Sequence, residues 1–140
     1  MPVVKPTSIR DVDNPARNPF QAAVEITMPN GTGGENAVVV VPKGKRLVIE
    51  YLSGDASLPA GQKCLFSVAT FVNGQTTGTW HYLASGPVGK FGPFDCFRTG
   101  QVVRLYADPG TQVQLRADRD IPDGKGVARM SLSGYLVSVP

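Results

Sequence analysis

Residues 20–28 read FQAAVEITM, and this stretch decides the fold class. Apolar side chains occupy every even position from Phe20 to Met28, and the odd positions hold polar or small residues. A period of two is that of a β-strand with one buried face. Residues 29–34, PNGTGG, interrupt the pattern and predict a loop. The core of the protein is therefore expected to begin with a strand near Phe20.

Similar segments recur along the chain, and turn residues separate them. The Asn-Gly pair at 73–74 lies between two such segments and is the strongest short signal for a β-hairpin. Turn-rich residues 54–61 and 86–93 are predicted to be loops. Further strands are predicted at residues 37–41, 46–53, 62–72, 76–83, 94–98, 101–107, 111–117 and 127–139.

No segment of helical length shows the apolar repeat of an amphipathic helix. The 140 residues include 16 Gly and 12 Pro, which favours tight turns over long helices. We therefore expect an all-β protein, a two-sheet antiparallel β-sandwich or jelly roll of about eight strands. Residues 1–18 are predicted to be an extended or mobile N-terminal segment, and residues 19–140 a single β-sandwich domain.

The charges of the chain are dispersed: 14 Lys and Arg against 11 Asp and Glu give a net charge of +3. The densest basic group is Lys43, Lys45 and Arg46, which fits a solvated turn better than a phosphate-binding surface. The longest apolar run, residues 37–42, is far shorter than the roughly 18 residues of a membrane helix. We expect no nucleic-acid partner and no membrane span.

Cys64 and Cys96 are the only cysteines, and each falls in a predicted strand. Their spacing is not the Cys-x-x-Cys of a redox or zinc site, so we favour a disulfide between them. Two buried free thiols are the alternative. A disulfide is compatible with a protein that works outside the cytoplasm.

Residues that could carry catalysis or bind a metal are sparse. His81 is the only histidine, which excludes a multi-histidine metal motif, and no Gly-x-Ser-x-Gly motif exposes a nucleophilic serine. Asp118, Asp120 and Asp123 resemble a calcium loop, but Pro122 intrudes and no glutamate follows. We expect no cofactor, no metal and no enzymatic activity. A hydrolase, the alternative, would need two of the scattered acids to meet in a cleft: Glu25, Glu35, Glu50, Asp55 and Asp95.

Aromatic residues are the one ambiguous group. Trp80 and Tyr82 lie two positions apart and are expected to share one face of a strand. Exposed rings would form a stacking platform for a carbohydrate or a protein partner, and Tyr51 with Tyr106 is a second candidate pair. A buried Trp80 in the core of the sandwich is the interpretation that we favour.

Two segments, residues 11–21 (DVDNPARNPFQ) and residues 41–51 (VPKGKRLVIEY), resemble small exported proteins of proteobacteria known only as hypothetical. The resemblance extends over most of the chain. It implies a mature periplasmic or secreted β-sandwich protein without its signal peptide. Because these proteins have no assigned activity, no functional residue is transferred from them.

The sequence therefore favours an exported, non-enzymatic β-sandwich that acts as a binding or surface-exposed, antigen-like interaction protein through its loops. Its partner would be a protein or a glycan. A carbohydrate-binding module that uses exposed aromatic rings is the alternative. Association of copies through exposed edge strands is another.

Overall fold

The computed structural model of the chain describes residue 14 and residues 18–139. This part of the chain contains β-strands and no helix, so no helix in it could cross a membrane. Of the expected N-terminal segment 1–18, only Asn14 and Asn18 lie among the described residues. The nine strands are β1 (Pro19–Met28), β2 (Gly34–Val40), β3 (Lys45–Pro59), β4 (Cys64–Thr70), β5 (Thr79–Leu83), β6 (Gly86–Phe91), β7 (Phe94–Ala107), β8 (Gln112–Arg119) and β9 (Gly126–Ser138).

The strands form two antiparallel sheets, which confirms the expected fold class. One sheet has five strands in the order β1-β9-β3-β7-β6, and the other has four in the order β2-β8-β4-β5. The pairs are nested along the chain, since β1 pairs with β9, β2 with β8, β3 with β7, and β4 with β5. Nested antiparallel pairs that alternate between two sheets are the winding of a jelly roll. Strand β6 is added at the edge of the five-stranded sheet.

The core lies between the two sheets and follows the period of two. In β8, Val113, Leu115 and Ala117 are fully buried, while the residues between them are partly exposed. The same alternation directs Phe66 and Val68 of β4 toward the core. The two sheets thus bury one face each and present one outer face each to solvent.

The sequence predicts a loop at residues 86–93, and this prediction is wrong for β6. Gly86, Pro87 and Gly92 are turn formers in most contexts, but here Gly86–Phe91 pairs with β7 as an edge strand. An edge strand tolerates Pro87 because one side of its backbone needs no partner. The register shifts between Pro87 and Gly89, where Gly89 has φ of 138°, a conformation that favours glycine. Strands β3 and β7 are also longer than predicted and run through residues 54–59 and 99–100.

A β-bulge interrupts β3 between Ile49 and Tyr51. Glu50 and Tyr51 are both exposed, whereas Ile49 and Leu52 are fully buried. The extra residue keeps the apolar side chains of β3 directed to the core on both sides of the bulge. Gly134 of β9 lies opposite, and a Cβ there would overlap the carbonyl oxygen of Val48 and lie 2.9 Å from its carbonyl carbon. The bulge therefore depends on glycine at position 134.

One end of the sandwich is organised by Arg119, whose side chain is buried at the end of β8. Its guanidinium donates to carbonyl oxygens on two loops, including those of Thr32 (2.8 Å), Pro29 (3.0 Å) and Gly124 (2.8 Å). It also donates to the side-chain oxygen of Gln62 at 3.2 Å. Arg119 thus connects the β1–β2, β3–β4 and β8–β9 loops, and its charge is compensated by carbonyl dipoles.

The predicted disulfide is wrong: Cys64 and Cys96 are both free. Cys64 belongs to the buried core between the sheets. Cys96 precedes the buried Phe97 on β7, so its side chain points to the outer face of the other sheet, where its Sγ lies 3.6 Å from Oγ of Ser57. Both cysteines are in strands as expected, but the alternation of β7 directs them to opposite sides of the five-stranded sheet.

Alkylation will distinguish the two thiols. Burial, and to a lesser extent the negative charge of Asp118, raises the pKa of Cys64 to about 12, so its thiolate is scarce at neutral pH. We expect iodoacetamide at pH 8 to modify Cys96 alone in the folded protein and both cysteines in denaturant, as measured by intact mass and peptide mapping. A Cys96→Ser variant should take up no label while folded. A native protein two mass units lighter than the reduced chain would contain a disulfide, and this result would contradict the prediction of two free thiols.

Candidate functional site

Trp80 and Tyr82 lie on β5, at the edge of the four-stranded sheet. Their strand partners are Ala69 and Ser67, whereas His81 pairs with the core residue Val68. Both rings therefore share one face of β5, as the sequence predicts, and this face is the outer one of the sheet. Tyr82 is 80% exposed, and Trp80 is half-buried and does not belong to the core. The favoured placement of Trp80 in the core is thus wrong.

We call the outer face of the four-stranded sheet the aromatic face, and two rows of paired residues define it. One row runs from Tyr82 through Ser67 and Arg116 to Asn36. The second row, two residues along each strand, consists of Trp80, Ala69, Gln114 and Val38. Neighbouring strands lie about 4.8 Å apart, so polar side chains of β8 stand about 10 Å from the two rings.

Two small residues lie between the rings and the polar side chains of the aromatic face. Ser67 and Ala69 point outward, yet they are only 6% and 0% exposed. Neighbouring groups therefore cover both residues, and among them are Phe71 and Gly78 beside Ala69. A ligand on this face would contact the larger side chains around these two positions.

Arg116 is fixed in position on this face. Its Nε donates to both carboxylate oxygens of Asp118 at 3.0 Å, and its Nη1 donates to Oδ1 of Asn36 at 2.8 Å. An arginine that neighbouring groups hold in place loses little conformational entropy when it binds a ligand. The guanidinium is therefore a prepared hydrogen-bond donor on the same face as the rings, two strands away from them.

Asp108 anchors the loop at the Trp80 end of the aromatic face. Its carboxylate accepts hydrogen bonds from the backbone N–H of Asn73 (2.7 Å) and from Nε of Arg46 (2.8 Å). Burial alone would raise the pKa of Asp108, but these two donors and the Arg46 charge lower it. The anchored loop brings Phe71 against Gly78, since a Cβ at Gly78 would lie 3.0 Å from the ring. Asp108 therefore positions the loop that borders Trp80.

The other candidates for chemistry do not come together. Asp120 accepts the backbone N–H of Lys63 at 2.7 Å, and the Asp123 carbonyl oxygen accepts from the Gln62 amide at 2.6 Å, so both acids belong to loop contacts. Among residues 18–139, no three His, Cys, Asp or Glu side chains are placed to hold a metal ion. Tyr51 and Tyr106 share the outer face of the five-stranded sheet, on β3 and β7.

Comparison with known proteins assigns no family. No protein-family model matches the chain, and no curated protein is significantly similar to it in sequence. No residue of the site is therefore assigned by similarity to another protein.

Sequence reasoning missed the polar half of the aromatic face. Gln114 and Arg116 alternate with the buried Val113 and Leu115, and this alternation already assigns them to an outer face. The pairing of β8 with β4, which brings them beside Trp80 and Tyr82, has no local signal in the sequence.

Proposed function

We propose that the protein is an exported, non-enzymatic binding protein that holds carbohydrate on the aromatic face. The observation that carries the proposal is the solvent exposure of Tyr82 beside a half-buried Trp80 on the same outer face. Aromatic rings that lie side by side on an outer face are a surface on which a ligand can stack. The carbohydrate-binding alternative from the sequence requires exposed rings, and Tyr82 meets this requirement.

The residues around the rings support a carbohydrate in particular. The apolar side of a sugar ring stacks on aromatic rings, while its hydroxyl groups need donors and acceptors nearby. Gln114 supplies an amide, Arg116 a fixed guanidinium and Asp118 a carboxylate, all on the outer side of β8. A sheet face of this composition suits a polysaccharide chain.

A binding role is favoured over hydrolysis by the placement of the acids. Glu25 and Asp55 lie in one row across the sheet, since each is a strand partner of Arg129 on β9. Both lie on an open sheet face beside arginine, and the Glu25 carboxylate is 3.6 Å from Nε of Arg129. A general acid for glycoside hydrolysis instead needs a desolvated site that favours its protonated form.

Export rests on the resemblance to small exported proteobacterial proteins. Free cysteines remove the disulfide as an argument for an oxidising compartment. Fractionation of the source cells tests the location directly, and recovery in the cytoplasmic fraction would contradict export.

The single tryptophan gives a site-specific test of binding. We expect polysaccharides that bind to change the fluorescence of Trp80 and to reduce its quenching by acrylamide, since the ring lies within the surface that they cover. Tyr82→Ala should weaken binding about tenfold, the loss expected for one aromatic contact worth about 1.4 kcal/mol. Pull-down with insoluble polysaccharides and titration with soluble ones measure both effects.

Tyr106→Ala is the matched control, because Tyr106 is 46% exposed on the other sheet. It should bind as the wild type does. If no polysaccharide of a panel of glucans, xylans, mannans and chitin binds, or if Tyr82→Ala and Tyr106→Ala behave alike, the proposal is wrong.

A protein partner on the same face is the second candidate. Val38, Val40 and Leu65 are 45%, 57% and 67% exposed, and with Tyr82 they give the face an apolar content that a protein interface would use. A photo-crosslinking amino acid at position 82, with position 106 as the control, tests this in the source cells. A defined adduct at 82 alone would support a protein partner, and no adduct at 82 would contradict it.

A further inference from the structure

The outer face of the five-stranded sheet carries a trench that runs across its strands. Its floor is a row of small residues on neighbouring strands, Ala23 of β1, Ser131 of β9 and Ser53 of β3. Two cavities of about 370 and 450 Å³ share these three residues in their lining and lie on either side of the row. The trench therefore results from small side chains in register on three strands.

One wall of the trench is a row of alternating charges. Glu25, Arg129, Asp55 and Arg98 are consecutive partners across β1, β9, β3 and β7. The row has no net charge, so it offers donors and acceptors in alternation without favouring an anionic or a cationic ligand. Within residues 18–139, the side chains of Arg98 and Asp55 form no hydrogen bond or ion pair, so both can bind a ligand.

The opposite wall is formed by the row of Gln21, Ser133 and Tyr51. The Tyr51 side chain leans over β7, since a Cβ at Gly100 would lie 2.5 Å from its hydroxyl oxygen. Glycine at 100 thus leaves room for this ring, which bounds the trench at its β7 end. Tyr51 is 42% exposed and can present one ring face to a bound molecule.

The floor adds hydroxyl groups. Oγ of Ser53 and Oγ of Ser131 lie 2.6 Å apart, and both residues are partly exposed. In this hydrogen bond one hydroxyl donates and the other keeps its proton for a further acceptor. The trench thus combines hydroxyl, guanidinium, carboxylate and amide groups with one aromatic ring.

We propose that this trench is a second binding site, separate from the aromatic face, for a neutral glycan of about disaccharide size. Three strands span two inter-strand spacings, about 10 Å, which limits the ligand to a short stretch of sugar. Alternating donors and acceptors match vicinal hydroxyl groups, and the neutral charge row gives an acidic sugar no advantage. Because the two sites lie on the outer faces of different sheets, they can be occupied at the same time.

Chemical-shift mapping with the full chain tests the site without any substitution. Neutral disaccharides (cellobiose, maltose, mannobiose, chitobiose) and digalacturonate are titrated into the ¹⁵N-labelled protein. We expect a neutral disaccharide to shift the amide signals of Ala23, Ser53 and Ser131. Shifts confined to the aromatic face would overturn the trench and leave the proposed function intact. Failure of every sugar to shift the trench amides would also overturn the trench, and so would a preference for the acidic sugar.

A blocking variant and its matched control provide the second measurement. Ala23→Trp fills the trench from the exposed edge strand β1, whereas Thr27→Trp places the same ring on the same strand face four residues away, outside the trench lining. Ala23→Trp should weaken trench binding at least about tenfold, and Thr27→Trp should not change it. Tyr82→Ala, which removes a ring of the aromatic face, should leave trench binding intact. Equal binding by the two tryptophan variants would overturn the proposal.

Discussion

Arg119→Met is expected to lower the free energy of unfolding by about 4 kcal/mol, a large share of the 5–15 kcal/mol typical of a domain. Methionine fills much of the space but donates no hydrogen bond, so the part-buried carbonyl oxygens of Thr32 and Gly124 lose the donor that Arg119 supplies. Denaturant unfolding measures the loss. Thermal unfolding should show a decrease in Tm of about 15 °C.

Arg104→Met is the control for Arg119, because Arg104 is exposed on the outer side of β7. Its unfolding free energy should change by less than about 0.5 kcal/mol. A similarly small change in Arg119→Met would mean that water replaces the guanidinium among the loop carbonyls. The three loops would then not depend on Arg119.

Gly134→Ala is expected to cost about 3 kcal/mol or more, although it adds a single methyl group. The added Cβ would overlap the carbonyl oxygen of Val48. The next nearest atoms are the carbonyl carbon of Val48 and Cα of Ile49, which also belong to the backbone of the bulged strand β3. Relief would require β3 and β9 to separate at the bulge, or β3 to change its register, which would direct its apolar residues to solvent. Chemical denaturation measures the cost, and loss of soluble expression would be its extreme form.

Gly86→Ala separates this steric effect from the general cost of replacing glycine in a strand. Gly86 lies in β6, and a Cβ at this position would meet no atom within 4 Å. Alanine there should be neutral or slightly stabilising, since it reduces the freedom of the unfolded chain. Equal effects at positions 86 and 134 would contradict the role of Gly134 in the bulge.

Patterns within single strands were sufficient to predict the fold class. The alternation in β1 predicts a half-buried strand, and the Asn-Gly pair at 73–74 predicts the pairing of β4 with β5. The shared face of Trp80 and Tyr82 follows from the same period of two. These features depend on neighbours in the chain, which is why the sequence carries them.

Features that depend on distant pairing could not be predicted. Cys96 and Phe97 are adjacent apolar residues of β7, and only the packing of the two sheets shows that Phe97 takes the inward position. The half-buried position of Trp80 on the outer face follows from the pairing of β5 with β4 at a sheet edge. The trench requires Ala23, Ser53 and Ser131 to be in register on three strands, which no local pattern specifies.

The nested strand order also bears on when the protein can fold. In the five-stranded sheet, β1 has β9 as its only neighbour, and β9 is the last strand of the described chain. A growing polypeptide on the ribosome therefore contains β1 long before its partner β9 has been made, and the five-stranded sheet cannot be completed until β9 emerges. During that interval the hydrogen-bonding edge of β1 has no partner within its own sheet, so the order of synthesis and the order of sheet assembly run in different directions.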